Sequence, residues 1–122
     1  MAVIISHTIR AKELQKGPLG LIETETVLKY YKRGIFTYIK GVNLPGNSKL
    51  NKVYATTIQG ARRILYLVNT QTGNAFLLLY RSKNDTIGNN MSIKNPEFEY
   101  TLDKYLSILM EDIAQGKVDT YE

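Results

Sequence analysis

The stretch that most restricts the architecture of this chain is Arg63-Ile64-Leu65-Tyr66-Leu67-Val68. Its aromatic and aliphatic content reads as a strand, in which successive side chains point to opposite faces. Ile64, Tyr66 and Val68 then share one face, and Arg63, Leu65 and Leu67 share the other. Both faces are largely apolar. Such a strand belongs in the middle of its sheet, with helices under one face and further cover on the other. Runs of the same period flank it: Lys52 to Ile58, joined through Gln59-Gly60-Ala61, and Ala75 to Arg81, joined through Asn69-Thr70-Gln71-Thr72-Gly73-Asn74. The three runs predict an antiparallel meander.

The cover has to come from the flanking sequence. Ala2 to Ser6 is a short β-branched run, a first strand, and His7 to Gln15 follows as a helix ended by Gly17-Pro18. From Leu21 to Lys40, the residues Leu21, Leu28, Tyr31, Ile35 and Tyr38 recur at the spacing of one helical face. This predicts an amphipathic helix with Lys29, Lys32, Arg33 and Lys40 on its far side, weakened by Gly34. Asn43-Leu44-Pro45-Gly46-Asn47 is a loop by its turn residues. After a polar loop at Thr86 to Lys94, Asn95-Pro96-Glu97 supplies a helix start, with Asn as cap, Pro at the first helical position and acids at Glu97 and Glu99. Phe98, Leu102, Tyr105, Leu109 and Ile113 continue that helix, and Gly116 ends it. The predicted order is β, α, α, β, β, β, α. This is an α+β fold in which N-terminal helices pack on a small antiparallel sheet, with a C-terminal helix. A length of 122 residues suits one domain spanning residues 1–122.

Charge is segregated along the chain. Residues 26–84 carry ten Lys and Arg and no Asp or Glu, whereas residues 85–122 carry eight acids and three lysines. An acid-free stretch of that length predicts a polyanionic partner, the alternative being a solvated basic face without a ligand. No apolar run is long enough to span a bilayer and the first residues are too short for a signal sequence, so the expectation is a cytoplasmic protein with no membrane partner.

Most catalytic chemistries find no support. With no cysteine and His7 as the only histidine, the chain has no thiolate nucleophile and no His-rich metal site, and no cofactor is expected. A Ser-His-Asp triad would rest on His7 alone, and Gly17-Pro18-Leu19-Gly20 lacks the Lys-Ser/Thr pair of a phosphate loop. The acids Asp103, Glu111 and Asp112 read as the exposed side of the last helix. What remains is a cluster of cations and tyrosines on the meander: Lys52 and Tyr54, then Arg62 and Arg63, then Tyr80, Arg81 and Lys83. Arg63 and Arg81 fall on adjacent antiparallel strands, close enough to form a phosphate clamp. RNA cleavage by attack of the 2′-hydroxyl on the adjacent phosphate requires no metal. It requires cations for the pentavalent transition state, which Arg supplies, and proton-moving groups, which Lys or Tyr supplies. The alternative is that these are strand-end charges reaching to water.

Three stretches resemble the RelE/ParE superfamily of toxins from toxin–antitoxin pairs, and within it the RelE- and HigB-like toxins. Leu44-Pro45-Gly46-Asn47-Ser48-Lys49-Leu50 is similar to the loop entering the sheet. Gly60-Ala61-Arg62-Arg63-Ile64-Leu65-Tyr66 is similar to the family's Gly-x-Arg-apolar-apolar-Tyr strand. Leu77 to Asp85 is similar to its last strand and Lys-Asn-acid turn. The resemblance implies a RelE-like fold and an endoribonuclease of mRNA, associated with the ribosome or free, that a cognate antitoxin neutralises. It implies catalytic roles for Arg63, Arg81, Lys83 and Lys52, and leaves the general base unassigned, because the family's late Tyr or His has no clear counterpart here. Arg62, Lys49, Lys29, Lys32, Arg33, Tyr54 and Tyr80 are the further RNA-binding candidates. The same superfamily contains gyrase inhibitors without nuclease chemistry, and a non-catalytic nucleic-acid-binding module is a third reading.

Overall fold

The computed structural model describes residues 2–41 and 43–122. The chain runs β1 (Val3–Ser6), α1 (His7–Glu13), α2 (Pro18–Lys32), β2 (Thr37–Ile39), β3 (Ser48–Thr57), β4 (Gly60–Asn69), β5 (Ala75–Ser82), α3 (Pro96–Ala114) and β6 (Val118–Tyr121). It is α+β. The meander forms as the alternation predicts, with Val53 opposite Ile64 and Ile64 opposite Tyr80. β4 is the buried centre of that meander, and Ile64, Leu65 and Tyr66 have no exposed surface.

Tyr66 shows how one face is filled. Its ring meets that of Tyr31 at 5.1 Å, and its hydroxyl donates to the carbonyl oxygen of Val27 at 2.6 Å. Helix α2 therefore lies over the face of Ile64, Tyr66 and Val68. The opposite face, with Leu65, Leu67 and Leu79, is closed by α3 and the segment before it, whose Ile87, Met91, Phe98 and Leu102 join the same core. The two apolar faces of β4 thus each acquire a lid, which is what its sequence demands.

The sheet departs from the expected antiparallel meander in two ways. It has six strands in the order β2-β3-β4-β5-β1-β6, and it is mixed, because β1 lies parallel to β5. A parallel neighbour needs a long crossover, and α1, α2 and the meander supply it. The edge strands β2 and β6 are too short to show a period of two, and both form by pairing with a longer strand: Thr37 to Ile39 against Lys52 to Leu50, and Val118 to Tyr121 against Ser6 to Val3.

The predicted helix from Leu21 to Lys40 is shorter and begins earlier. Pro18 opens α2 at its first position, and the helix closes at Lys32, where Gly34 takes a φ of 71° and donates its N–H to the carbonyl of Tyr31 at 3.1 Å. Gly34 is a helix stop rather than a weak interior residue, because a positive φ costs glycine little. Beyond it Phe36 folds back against Tyr31, with ring centroids 5.2 Å apart, and Ile35, Tyr38 and Lys40 leave the helix altogether. α1 is also two residues shorter than predicted, ending at Glu13. α3 starts as its sequence predicts: Asn95 accepts the N–H of Glu97 and Pro96 occupies the first turn.

Asp112 is a correction. It is not on the exposed side of α3 but buried, accepting the hydroxyl of Ser6 and the N–H of Thr8 at 3.0 Å. The Ser6 hydroxyl, with help from the Thr8 N–H, holds its carboxyl below the usual carboxylate range against the opposing effect of burial. Asp112 thereby ties the last helix to the β1–α1 junction.

Candidate functional site

Cross-strand register decides which candidate side chains meet. Arg63 stands directly opposite Tyr54 on β3 and Arg81 on β5, so these three share one face in one row. Lys52, two residues before Tyr54, projects from the same face, and the ladder continues past Arg81 with the Lys83 N–H bonded to the Ala61 carbonyl at 3.2 Å. Lys52, Tyr54, Arg63, Arg81 and Lys83 therefore gather at one end of the meander.

Within this cluster Tyr54 lies between two cations. The Lys52 ammonium is 4.9 Å and the Arg63 guanidinium 4.3 Å from its ring centroid, both within cation–π range. Tyr54 is 54% exposed. Hydrogen bonding to Lys52 leads in lowering the Tyr54 phenol below the ordinary tyrosine range, burial opposes it, and the fields of Lys52 and Arg63 add to the lowering. Among the described residues, no carboxylate lies within ion-pair distance of Lys52 or Arg63, so their charge is available to an anion. A small cleft at the β3 edge is lined by Tyr30, Arg33, Ile35, Thr37, Val53 and Tyr54, with Arg33 reaching it from α2, on the opposite side of the sheet from the Lys52–Tyr54–Arg63 cluster.

Arg81 has a different environment. Its Nε and Nη2 donate to the two carboxylate oxygens of Glu13 at 2.7 and 2.8 Å, and its Nη1 donates to Asp85 at 3.3 Å. Glu13 also accepts the Tyr80 N–H at 2.9 Å and the Tyr105 hydroxyl at 2.8 Å. Burial alone would lower the Arg81 pKa, but the hydrogen bond and charge of Glu13 reverse it, so the guanidinium stays charged. Burial first, and the Glu13 carboxylate second, push the Tyr105 phenol up to about 12. Asp85 in turn accepts the N–H groups of Ile87 and Gly88. A Cβ on Gly88 would fall 2.0 Å from the Ser82 carbonyl oxygen, so this turn closes only with glycine. Nε, Nη1 and Nη2 of Arg81 each donate to a carboxylate, so its charge is already balanced within the fold, although its side chain stays 22% exposed. Glu13, bonded to Arg81, the Tyr80 N–H and the Tyr105 hydroxyl, fastens α1, β5 and α3 together.

The remaining candidates divide. Tyr80, an RNA-binding candidate, is buried at 4% exposure on the face under α2 and presents little surface to a ligand. Arg62 shares that opposite face, opposite Ala55 and Ser82, and does not join Arg63. Lys49 is also on that face, donating to the Tyr38 hydroxyl at 2.8 Å with its ammonium 4.4 Å from the ring. On α2, Lys29 and Arg33 lie 5.9 and 4.9 Å from the Tyr30 ring centroid, while Lys32 faces another cavity, lined by Leu28, Phe36 and Tyr121. The Tyr30 hydroxyl both donates to the carbonyl and accepts the N–H of Thr56, capping β3 where β2 no longer covers it.

Among the described residues no group of three or more His, Cys, Asp and Glu side chains is placed to hold a metal ion, and no helix is long and apolar enough to cross a membrane. No family model matches the chain, and comparison with curated proteins and with solved structures finds no match to either.

Proposed function

We propose that the protein is a metal-independent endoribonuclease acting on mRNA, the toxin of a toxin–antitoxin pair, with its site at the Lys52–Tyr54–Arg63 corner. The observation that carries this reading is the pairing of an exposed phenol with two unneutralised cations on one sheet face. Such a set binds phosphate and offers a proton-moving group beside it, as attack by a 2′-hydroxyl requires. Support for a RelE-like fold comes from element order. With the short edge strands β2 and β6 set aside, the chain keeps the order β-α-α-β-β-β-α that the resemblance implies. Arg63 is then the cation at the phosphorane, Lys52 and Lys83 stand beside it, and Arg33 adds positive charge at the β3 edge from the other side of the sheet. Arg81 supports the site without touching substrate. An acidic segment of an antitoxin laid over this corner would block it.

The test is cleavage of mRNA by the purified protein with ribosomes in the presence of EDTA. The expected result is cleavage that EDTA leaves intact and Arg63→Ala abolishes. Cleavage lost with EDTA, or retained in Arg63→Ala, overturns the reading. Intact RNA together with DNA damage on expression would select gyrase inhibition instead, and salt-dependent RNA binding without cleavage would select a binding module.

A further inference from the structure

We infer that Tyr54 is the general base that takes the proton from the attacking 2′-hydroxyl, an inference that rests on the nuclease reading above. Elimination and geometry meet on this residue. A base must be accessible, must stand beside the cation that holds the phosphate, and must not already give its hydroxyl proton to an acceptor within the protein. The Tyr105 hydroxyl is given to Glu13, the Tyr30 hydroxyl to Thr56 and the Tyr66 hydroxyl to Val27. Tyr80 is buried, and Tyr38 accepts from Lys49 on the other side of the sheet. The carboxylates nearest the row, Glu13 and Asp85, are spent on Arg81 and backbone N–H groups. His7 is paired with Asp119 at 3.3 Å, beside the edge strand β6. Tyr54 alone among these is half exposed and directly opposite Arg63.

The cations that flank its ring also favour its deprotonated form. The phenolate oxygen takes the proton of the 2′-hydroxyl. The freed electron pair on O2′ forms the bond to phosphorus, and the P–O5′ bond breaks. Lys52 donates a proton to the departing O5′, while Arg63 holds the non-bridging oxygens. The products are a 2′,3′-cyclic phosphate and a 5′-hydroxyl. Tyr54 ends neutral and Lys52 deprotonated, and solvent returns both to their starting states.

Tyr54→Phe keeps the ring and its cation contacts and removes only the hydroxyl, so it separates proton transfer from stacking. With a labelled single-stranded RNA and ribosomes, the variant is expected to cleave about 10²-fold more slowly or worse, with RNA affinity within about threefold of the parent. Incorporating 3,5-difluorotyrosine at position 54, a more acidic phenol, is expected to move the acidic limb of the pH–rate profile to lower pH. Cleavage by Tyr54→Phe at near the parent rate, or an acidic limb that does not move, overturns the assignment while leaving the nuclease reading intact. A parent protein that cleaves no RNA overturns the nuclease reading itself, and the Tyr54 assignment with it. Circular dichroism and thermal midpoints matching the parent guard against a folding artefact.

Discussion

Arg63 and Arg81 are cross-strand neighbours on one face of one sheet, yet they belong to different kinds of place. Arg81 is held by two carboxylates and its side chain is 22% exposed, whereas Arg63 has an aromatic ring for a neighbour and no carboxylate within reach among the described residues. The difference is supplied by α1, which runs past the end of β1 and brings Glu13 to the uncovered edge of β5. Among the described residues no carboxylate reaches Arg63 in this way. Residue type and strand position therefore say little about whether a cation is free, and what packs on the adjacent edge says nearly everything.

The largest effect should come from breaking the buried side of this contrast. Glu13→Gln leaves Arg81 with Asp85 as its one remaining carboxylate partner and weakens the hold on the Tyr80 N–H and the Tyr105 hydroxyl, and should destabilise the fold by about 3 kcal/mol in urea denaturation. Arg63→Ala should change stability by no more than about 0.5 kcal/mol while abolishing RNA cleavage. Equal losses of stability in the two variants would erase the distinction.

A smaller effect, about 1 kcal/mol, is expected for Tyr30→Phe, which uncovers the Thr56 N–H and carbonyl at the open part of β3. Hydrogen exchange at the Thr56 amide should accelerate, with little change at amides of β4.

The two phenols sharpen the comparison by titrating in opposite directions. Tyr54 should ionise below the ordinary tyrosine value because Lys52 and Arg63 favour its anion, and Tyr105 near about 12 because burial and Glu13 oppose it. Ring-carbon chemical shifts followed by NMR against pH would resolve both. The raised value also fixes a stability window. The Tyr105 contribution is fully present below the unfolded tyrosine pKa and is lost as pH rises through the folded value, and Tyr105→Phe should remove that alkaline loss.

At the acid end the sign reverses. Asp112 and Asp85 have lowered pKa values, so their contributions are present above the ordinary carboxylate range and are lost as pH falls through the folded values. Asp112→Asn should be less stable at neutral pH and lose less stability on acidification. A parallel acid limb in parent and variant would show that Asp112 is not the group being protonated.

Much of this arrangement is legible in the order of residues. The alternation around Ile64 to Val68 determines a central, doubly covered strand, and Asn95-Pro96 determines where α3 begins, because side-chain period and capping chemistry are local. Local pattern misleads at Ile35 and Tyr38, which keep a helical spacing after Gly34 has ended the helix. β2 and β6 carry no pattern of their own, since strands of three and four residues form only against a neighbour that already exists. The acid-free stretch of residues 26–84 is the sharpest case. By itself the sequence determined that ten cations would be concentrated there. Only the tertiary structure decided which of them are free, because Glu13 reaches Arg81 across 68 positions of chain and Asp85 lies one residue beyond the stretch. A carboxylate neutralises a cation by distance in space, and distance along the chain does not report it.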